Sequence, residues 1–199
     1  MNKNILIFVV MLSIASSYAQ KKKTAKNSKV VASSKNILAT SGYMTAELQK
    51  NTFFVTIDNK NPVKDTIQFK IYPEKNVPTN CKLEAFTTKG QVLQCISWVD
   101  SYQKNSPLIK EVITELNSVV FDAKTKKKLL YNTQKSTAIT EIRFLDVKKT
   151  VSETIDKKRN EGYVFTLLPN GDINLKSKNQ NQSLNYDAEK KEYVSAKKK

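Results

Sequence analysis

The sequence contains no histidine. That absence removes the Ser-His-Asp triad, Cys-His nucleophiles and every imidazole-ligated metal site. Only two cysteines occur, Cys81 and Cys95, too far apart for a C-x-x-C pair and too few for a zinc site. Glycine is scarce: the four present form no G-x-G-x-x-G and no Walker A loop, so a nucleotide-cradling turn is not expected. Arginine is scarcer still, with Arg143 and Arg159 the only two among 34 basic residues. Lysine is a hydrated point charge, whereas arginine supplies the planar fork that reads bases and clamps phosphates bidentately. No nucleic-acid partner and no cofactor are therefore expected. Beyond residue 19 no stretch is apolar enough to span a bilayer.

The N-terminus carries the three parts of a secretory signal. Lys3 is the positive end, an apolar run extends from Ile5 to Leu12 and on through Ile14 and Ala15, and small residues stand at Ser17 and Ala19 where signal peptidase reads. Residues 1–19 are expected to be removed, leaving Gln20 as the new terminus. A membrane anchor fits less well. Ile5 to Ala19 is 15 residues, about 22 Å as a helix, against a hydrocarbon core of about 30 Å. The expected location is outside the cytoplasm, periplasmic or secreted.

The charge is unevenly spread. Of the net +16, one lysine lies in residues 1–20, six in 21–36 and three at Lys197–Lys199, with no acid in any of these segments, which leaves +6 for residues 37–196. Segment 20–36 has no aromatic residue and only Val30-Val31 as an apolar pair, too little to offset its chain entropy, and reads as a basic linker. Residues 37–196 read as one domain and 197–199 as a basic tail. The lysine tails suit weak electrostatic contact with anionic envelope surfaces, each lysine adding about 1 kcal/mol near an acidic membrane. The plainer reading, and the preferred one, is a solubilising spacer.

From residue 52 onward apolar and polar residues alternate with period two, the pattern of half-buried strands. Val63, Ile67, Phe69 and Ile71 fall on one face, with Lys64, Thr66, Gln68 and Lys70 on the other. Thr52 to Asp58 is a second strand, and Tyr43 to Leu48 pairs with it. Leu168-Pro169-Asn170-Gly171 predicts a type I turn followed by a left-handed glycine, a three-residue loop that pairs Leu167 with Ile173 and Phe165 with Leu175 and puts Tyr163 on the same apolar face. For Cys81–Lys89 and Gln91–Val99 a three-residue loop (Thr88, Lys89, Gly90) gathers Cys81, Leu83, Ala85, Leu93, Cys95 and Val99 on one face. That register makes Cys81 and Cys95 diagonal neighbours and candidates for a disulfide, at the long edge of bridging distance. A two-residue loop would put them on opposite faces, and the alternative is two buried free thiols. Phe121 to Lys127 and Tyr186 to Lys191 are similar, each an aspartate-led hairpin tip.

Two helices are expected. Ser106-Pro107 is a capped start for a stripe of Leu108, Ile109, Val112, Ile113 and Leu116. Val147 to Asn160 carries a thinner stripe and reads alternatively as a long strand. The fold class is thus mostly β, a single antiparallel domain, sandwich or half-barrel, with one or two packed helices.

What chemistry survives is slight. Glu111 and Glu115 would share a helix face, the pattern of a solvated stripe. Asp58-Asn59-Lys60-Asn61 has calcium-type oxygens, but a lysine interrupts it and no glutamate closes the loop. No catalytic or metal site is assigned, and an enzyme is not the expected reading. The expectation is an exported, non-catalytic binding or accessory protein of the cell envelope. One alternative is a carrier of an apolar ligand such as a lipid, which needs a cavity of about 300–1,000 Å³. Another is a carboxylate-only enzyme such as a glycan hydrolase, which needs two carboxyl groups about 5–10 Å apart in an open cleft.

Overall fold

Alternating segments joined by short turns dictate antiparallel hairpins. The computed structural model describes residues 36–59, 64–73 and 76–196, and among the described residues every regular element is a strand. The first sheet is β1 (Asn36–Ser41), β2 (Met44–Gln49), β3 (Thr52–Ile57) and β4 (Asp65–Ile71). The central sheet is β5 (Thr79–Thr88), β6 (Gln91–Asn105), β7 (Ile109–Asp122), β8 (Lys127–Phe144) and β9 (Ser152–Gly162). The third is β10 (Val164–Leu167), β11 (Ile173–Lys176), β12 (Asn181–Asp187) and β13 (Glu192–Ser195). Each is a meander in chain order, antiparallel throughout. Ser17, Ala19, the lysines of segment 21–35 and Lys197–Lys199 lie outside the described residues.

The central sheet has a core on each face. Toward the first sheet it presents Leu83, Ile96, Trp98, Val119 and Phe121, packed on Met44, Phe53, Val55 and Ile67. Phe53, Phe69, Trp98 and Phe121 form a chain of tilted and edge-on rings with centroids 5.0–6.1 Å apart, the preferred aromatic geometry. Toward the third sheet it presents Leu93, Cys95 and Val120, packed on Ile173, Leu175, Leu184 and Tyr186. β6 around Cys95-Ile96 and β7 around Val119-Val120-Phe121 are therefore buried on both faces, and apolar residues follow one another there without alternation.

The turns explain most of the registers. Leu167 pairs with Ile173 and Phe165 with Leu175. Gly171 N–H donates to Leu168 O at 2.9 Å, Leu168 N–H donates to Asp172 O at 2.8 Å, and Gly171 stands at φ +82°, the bulged three-residue loop expected. Asp122 and Asp187 each accept backbone N–H bonds from the turn they open, from Lys124 at 2.9 Å and from Glu189 at 3.0 Å.

Three expectations are corrected. The β5–β6 turn is a two-residue one, Thr88 opposite Gln91, with Lys89 at φ 44° and Gly90 at φ 76°, the backbone of a type I′ hairpin. Leu83 consequently faces Ile96, and Phe86 faces Leu93. Both expected helices are absent from the described residues. Ser106 Oγ instead accepts the Ile109 N–H at 3.1 Å in a hairpin turn, and the β-branched Ile109, Val112, Ile113, Thr114, Val119 and Val120 run on as β7. Val147 is fully exposed in a turn closed by Asp146, after which β9 pairs with β8 from Phe144–Ser152 to Gln134–Gly162. Finally, Ile71 is 65% exposed rather than inward. Phe53 opposes Lys70 while Phe54 opposes Gln68, so Phe69 is an extra residue and the alternation of β4 inverts after it.

Candidate functional site

The bulge at Phe69 builds the first polar feature of the interior. By adding one residue it turns Lys70, and then Tyr72, toward the central sheet, where Asp100 lies on β6 in the same row as Ile96 and Trp98. Lys70 Nζ and Tyr72 Oη donate to the Asp100 carboxylate at 2.6 Å each, Asn117 Nδ2 at 3.0 Å and Trp98 Nε1 at 3.2 Å. Asn117 Oδ1 in turn accepts from Thr133 Oγ1 at 2.8 Å and Tyr131 Oη at 2.9 Å. Asp100 is only 5% exposed. Burying a carboxylate costs several kcal/mol unless a countercharge and donors occupy its lone pairs, and here all of those are supplied. Burial, then the bond to Asp100, pushes the Tyr72 hydroxyl far above its usual range.

Beside this network opens a cavity of about 360 Å³, walled by Lys70, Tyr72, Val77, Asp100, Tyr102 and Glu115. Asp100 and Glu115 are direct cross-strand partners and face the same way. Tyr102 Oη donates to Glu115 at 2.8 Å; burial first and that bond second push its pKa up to about 12.

The opposite face of the central sheet forms a larger cleft, about 690 Å³, where β5, β6 and β7 part from β10. Its apolar wall is Cys95, Val99, Leu116, Phe165 and Leu167, and Lys82 and Glu84 lie at its polar side. The register that places Glu84 opposite Cys95 also brings a negative charge near the thiol. Burial, and secondarily Glu84, push Cys95 up to about 12, and burial alone pushes Cys81 up to about 11. Both are protonated at neutral pH and poor nucleophiles.

The residues singled out from sequence are placed as follows. Cys81 and Cys95 are free thiols. Cys81 packs against the core shared with the first sheet and Cys95 lies in the core shared with the third. The three-residue register that made them diagonal neighbours is not the one formed. Glu111 and Glu115 lie on one face of a strand rather than a helix, opposite Lys104 and Asp100 respectively. Asp58 pairs with Lys64 at 3.1 Å and Asn59 donates to Asp65 at 2.8 Å, while Lys60 and Asn61 lie outside the described residues. Among the described residues no group of three Cys, Asp or Glu side chains is arranged to hold a metal. Tyr163 packs in the third-sheet core, as its hairpin register implies. Asp100 was not singled out, although its signal is legible: an acid two residues beyond Trp98 continues the apolar row of a strand, where a solvated acid does not belong.

Compared with protein-family models, with curated proteins and with solved structures, the chain matches none.

Proposed function

We propose that this chain is an exported, non-catalytic binding or accessory protein of the cell envelope that takes its ligand in the cleft between the central sheet and β10. The supporting observation is that cleft itself. At about 690 Å³ it falls in the size range of small-molecule sites, and six of its twelve lining residues are apolar, set against six polar ones. Two sheets diverging from a shared core leave such a space without disturbing either one. The same apolar wall, Val99, Leu116, Phe165 and Leu167, favours a carrier of an apolar ligand as the narrower reading.

A carboxylate-only hydrolase draws support from Asp100 and Glu115, which share a cavity. Against it, Asp100 is nearly buried and already engaged by four donors including a lysine, an arrangement that satisfies a structural carboxylate rather than presenting one to a substrate.

The cleft is tested by titrating the purified chain with N-phenyl-1-naphthylamine, a neutral apolar fluorophore. Saturable enhancement at one site is expected. Leu116→Lys, at a position already 39% exposed and thus tolerant of the change, should weaken it about tenfold or more by setting a charge in the apolar wall. No saturable uptake, or uptake indifferent to Leu116→Lys, rejects the cleft as the site. Export is tested separately by mass spectrometry of protein from its native host, with an N-terminus at Gln20 expected and retention of Met1 contradicting it.

A further inference from the structure

Gly162 ends β9 and turns the chain out of the central sheet into the third. It stands at φ +80°, and a Cβ there would come within 2.2 Å of Thr133 O, so only glycine makes this corner. In the angle behind the corner, between β9 with its neighbour β8 and the end of β11, lies a cleft of about 620 Å³. Three lysines line it, Lys158 on β9, Lys176 at the end of β11 and Lys178 in the turn that follows; Arg159, the next residue of β9, lies on the other face of the strand with Glu161. The one acid beside it, Glu161, is engaged, 3.4 Å from Arg159 Nε and 3.7 Å from Lys135 Nζ. Among the described residues no carboxylate lies within ion-pairing distance of Lys158, Lys176 or Lys178.

Elsewhere on this domain lysines are of two kinds. Lys64, Lys70, Lys126 and Lys157 each have a carboxylate partner. Lys104, Lys110 and Lys148, for example, have no carboxylate within ion-pairing distance among the described residues. The two clefts described above hold one lysine each, Lys82 and Lys70, with a carboxylate in the same lining, so a concave site that gathers three unanswered lysines stands apart from them. Its net of three positive charges is half of the +6 carried by residues 37–196. Like charges held this close repel one another, and a bound anion relieves that repulsion. Phosphoryl monoesters carry about −1.5 to −2 each at neutral pH, so two of them match the cleft where two carboxylates would not. Lysine ammonium groups serve phosphate as point charges without demanding the flat geometry of a carboxylate. Asn160, Gln134 and Ser177 add neutral polar groups to the wall.

We propose that the cleft behind Gly162 binds a ligand carrying two phosphoryl groups, of the size of a diphosphorylated saccharide, either free or as the head group of a lipid. The site is separate from the apolar cleft by β10, and neither proposal depends on the other.

Three probes test it on the purified chain at low ionic strength: inorganic pyrophosphate, glucose 1,6-bisphosphate, and zwitterionic vesicles doped with a diphosphorylated glycolipid. Saturable binding of one pyrophosphate or one bisphosphate per chain is expected, weakening as salt rises because the charges are solvent-facing. Lys158→Glu with Lys178→Glu should lower affinity about tenfold or more. Replacing the nine lysines of segments 21–36 and 197–199 by glutamine should leave it within about twofold. Binding of the vesicles together with the soluble esters, or of the vesicles alone, with the same sensitivity to Lys158→Glu and Lys178→Glu, assigns the head group as the source. Absence of binding to all three probes overturns the proposal, as does binding that the cleft substitutions leave intact or that the tail substitutions abolish.

Discussion

Replacing Lys70 by methionine isolates the energetic role of the bulged strand. The variant keeps the length and packing of the side chain and removes the one positive charge bonded to Asp100. Taking away one member of a buried ion pair typically costs about 3–5 kcal/mol, because the remaining charge is left uncompensated. Two features reduce that figure here. The Lys70 side chain is 34% exposed, so solvent screens part of the attraction. Asp100 also retains three neutral donors, Tyr72, Trp98 and Asn117. A loss of about 2 kcal/mol follows. With a urea m-value of about 2 kcal/mol/M, the unfolding midpoint should fall by about 1 M. Trp98 is the only tryptophan, is buried and touches Asp100, so its fluorescence reports on the transition directly. Asp100→Asn should cost a similar amount alone. The double variant should cost less than the two together by about 1–2 kcal/mol, since each partner is harmful mainly in the absence of the other. A Lys70→Met protein within about 0.5 kcal/mol of the parent, or strict additivity, would refute the claim that the bulge exists to neutralise Asp100.

Other consequences are as direct. Gly171→Ala forces an L-residue to φ +82° and drives its Cβ to 2.4 Å from the Thr88 Cβ, so a loss of about 2–3 kcal/mol is expected in the same urea assay; a neutral result would mean the third sheet can shift off β5. The folded state raises Cys81 from 9.0 to about 11 and Cys95 from 9.0 to about 12, in each case chiefly by burial. Stability from these groups is therefore complete below pH 9 and lost as pH rises toward 12; Cys95→Ala should flatten that decline, and an unchanged slope would exclude Cys95 as a source. Alkylation in denaturant without reductant should add two adducts per chain by intact mass, whereas none would reveal a Cys81–Cys95 bond.

The hairpins whose chemistry is local were legible. Proline, asparagine and glycine in Leu168–Gly171 specify one turn, and with it the pairing of Leu167 with Ile173, whatever surrounds them. Asp122 and Asp187 work the same way, because an aspartate bonds the backbone just ahead of it. The errors share a different origin. The three-residue β5–β6 loop follows from gathering the apolar residues on one face. That rule assumes one buried face and one wet one. The central sheet is covered on both, so the two-residue register is equally apolar: Leu83 and Ile96 face the first sheet, Phe86 and Leu93 the third. Where both faces are buried, side-chain polarity no longer selects the register, and the turn backbone decides.

The false helix follows from the same two-sidedness. On β7, Ile113 is buried on the row toward the first sheet, while Val112 and Leu116 lie on the other row. Residues drawn from two faces in this way fall at spacings of one, three and four, which a helical stripe also produces. The β-branched content of the segment was the discriminating signal, since Ile, Val and Thr fit a pleated surface better than a helix. Placement of the polar features needed more than either rule. Lys70 reads as outward by alternation, and only a bulge, which adds a residue without any mark in composition, turns it to Asp100. The basic cleft likewise draws Lys158 and Lys176 from separate sheets, and what joins them is the corner at Gly162. A left-handed glycine between two strands thus locates the point where neighbouring sheets diverge, and on this domain that divergence is what makes a concave surface.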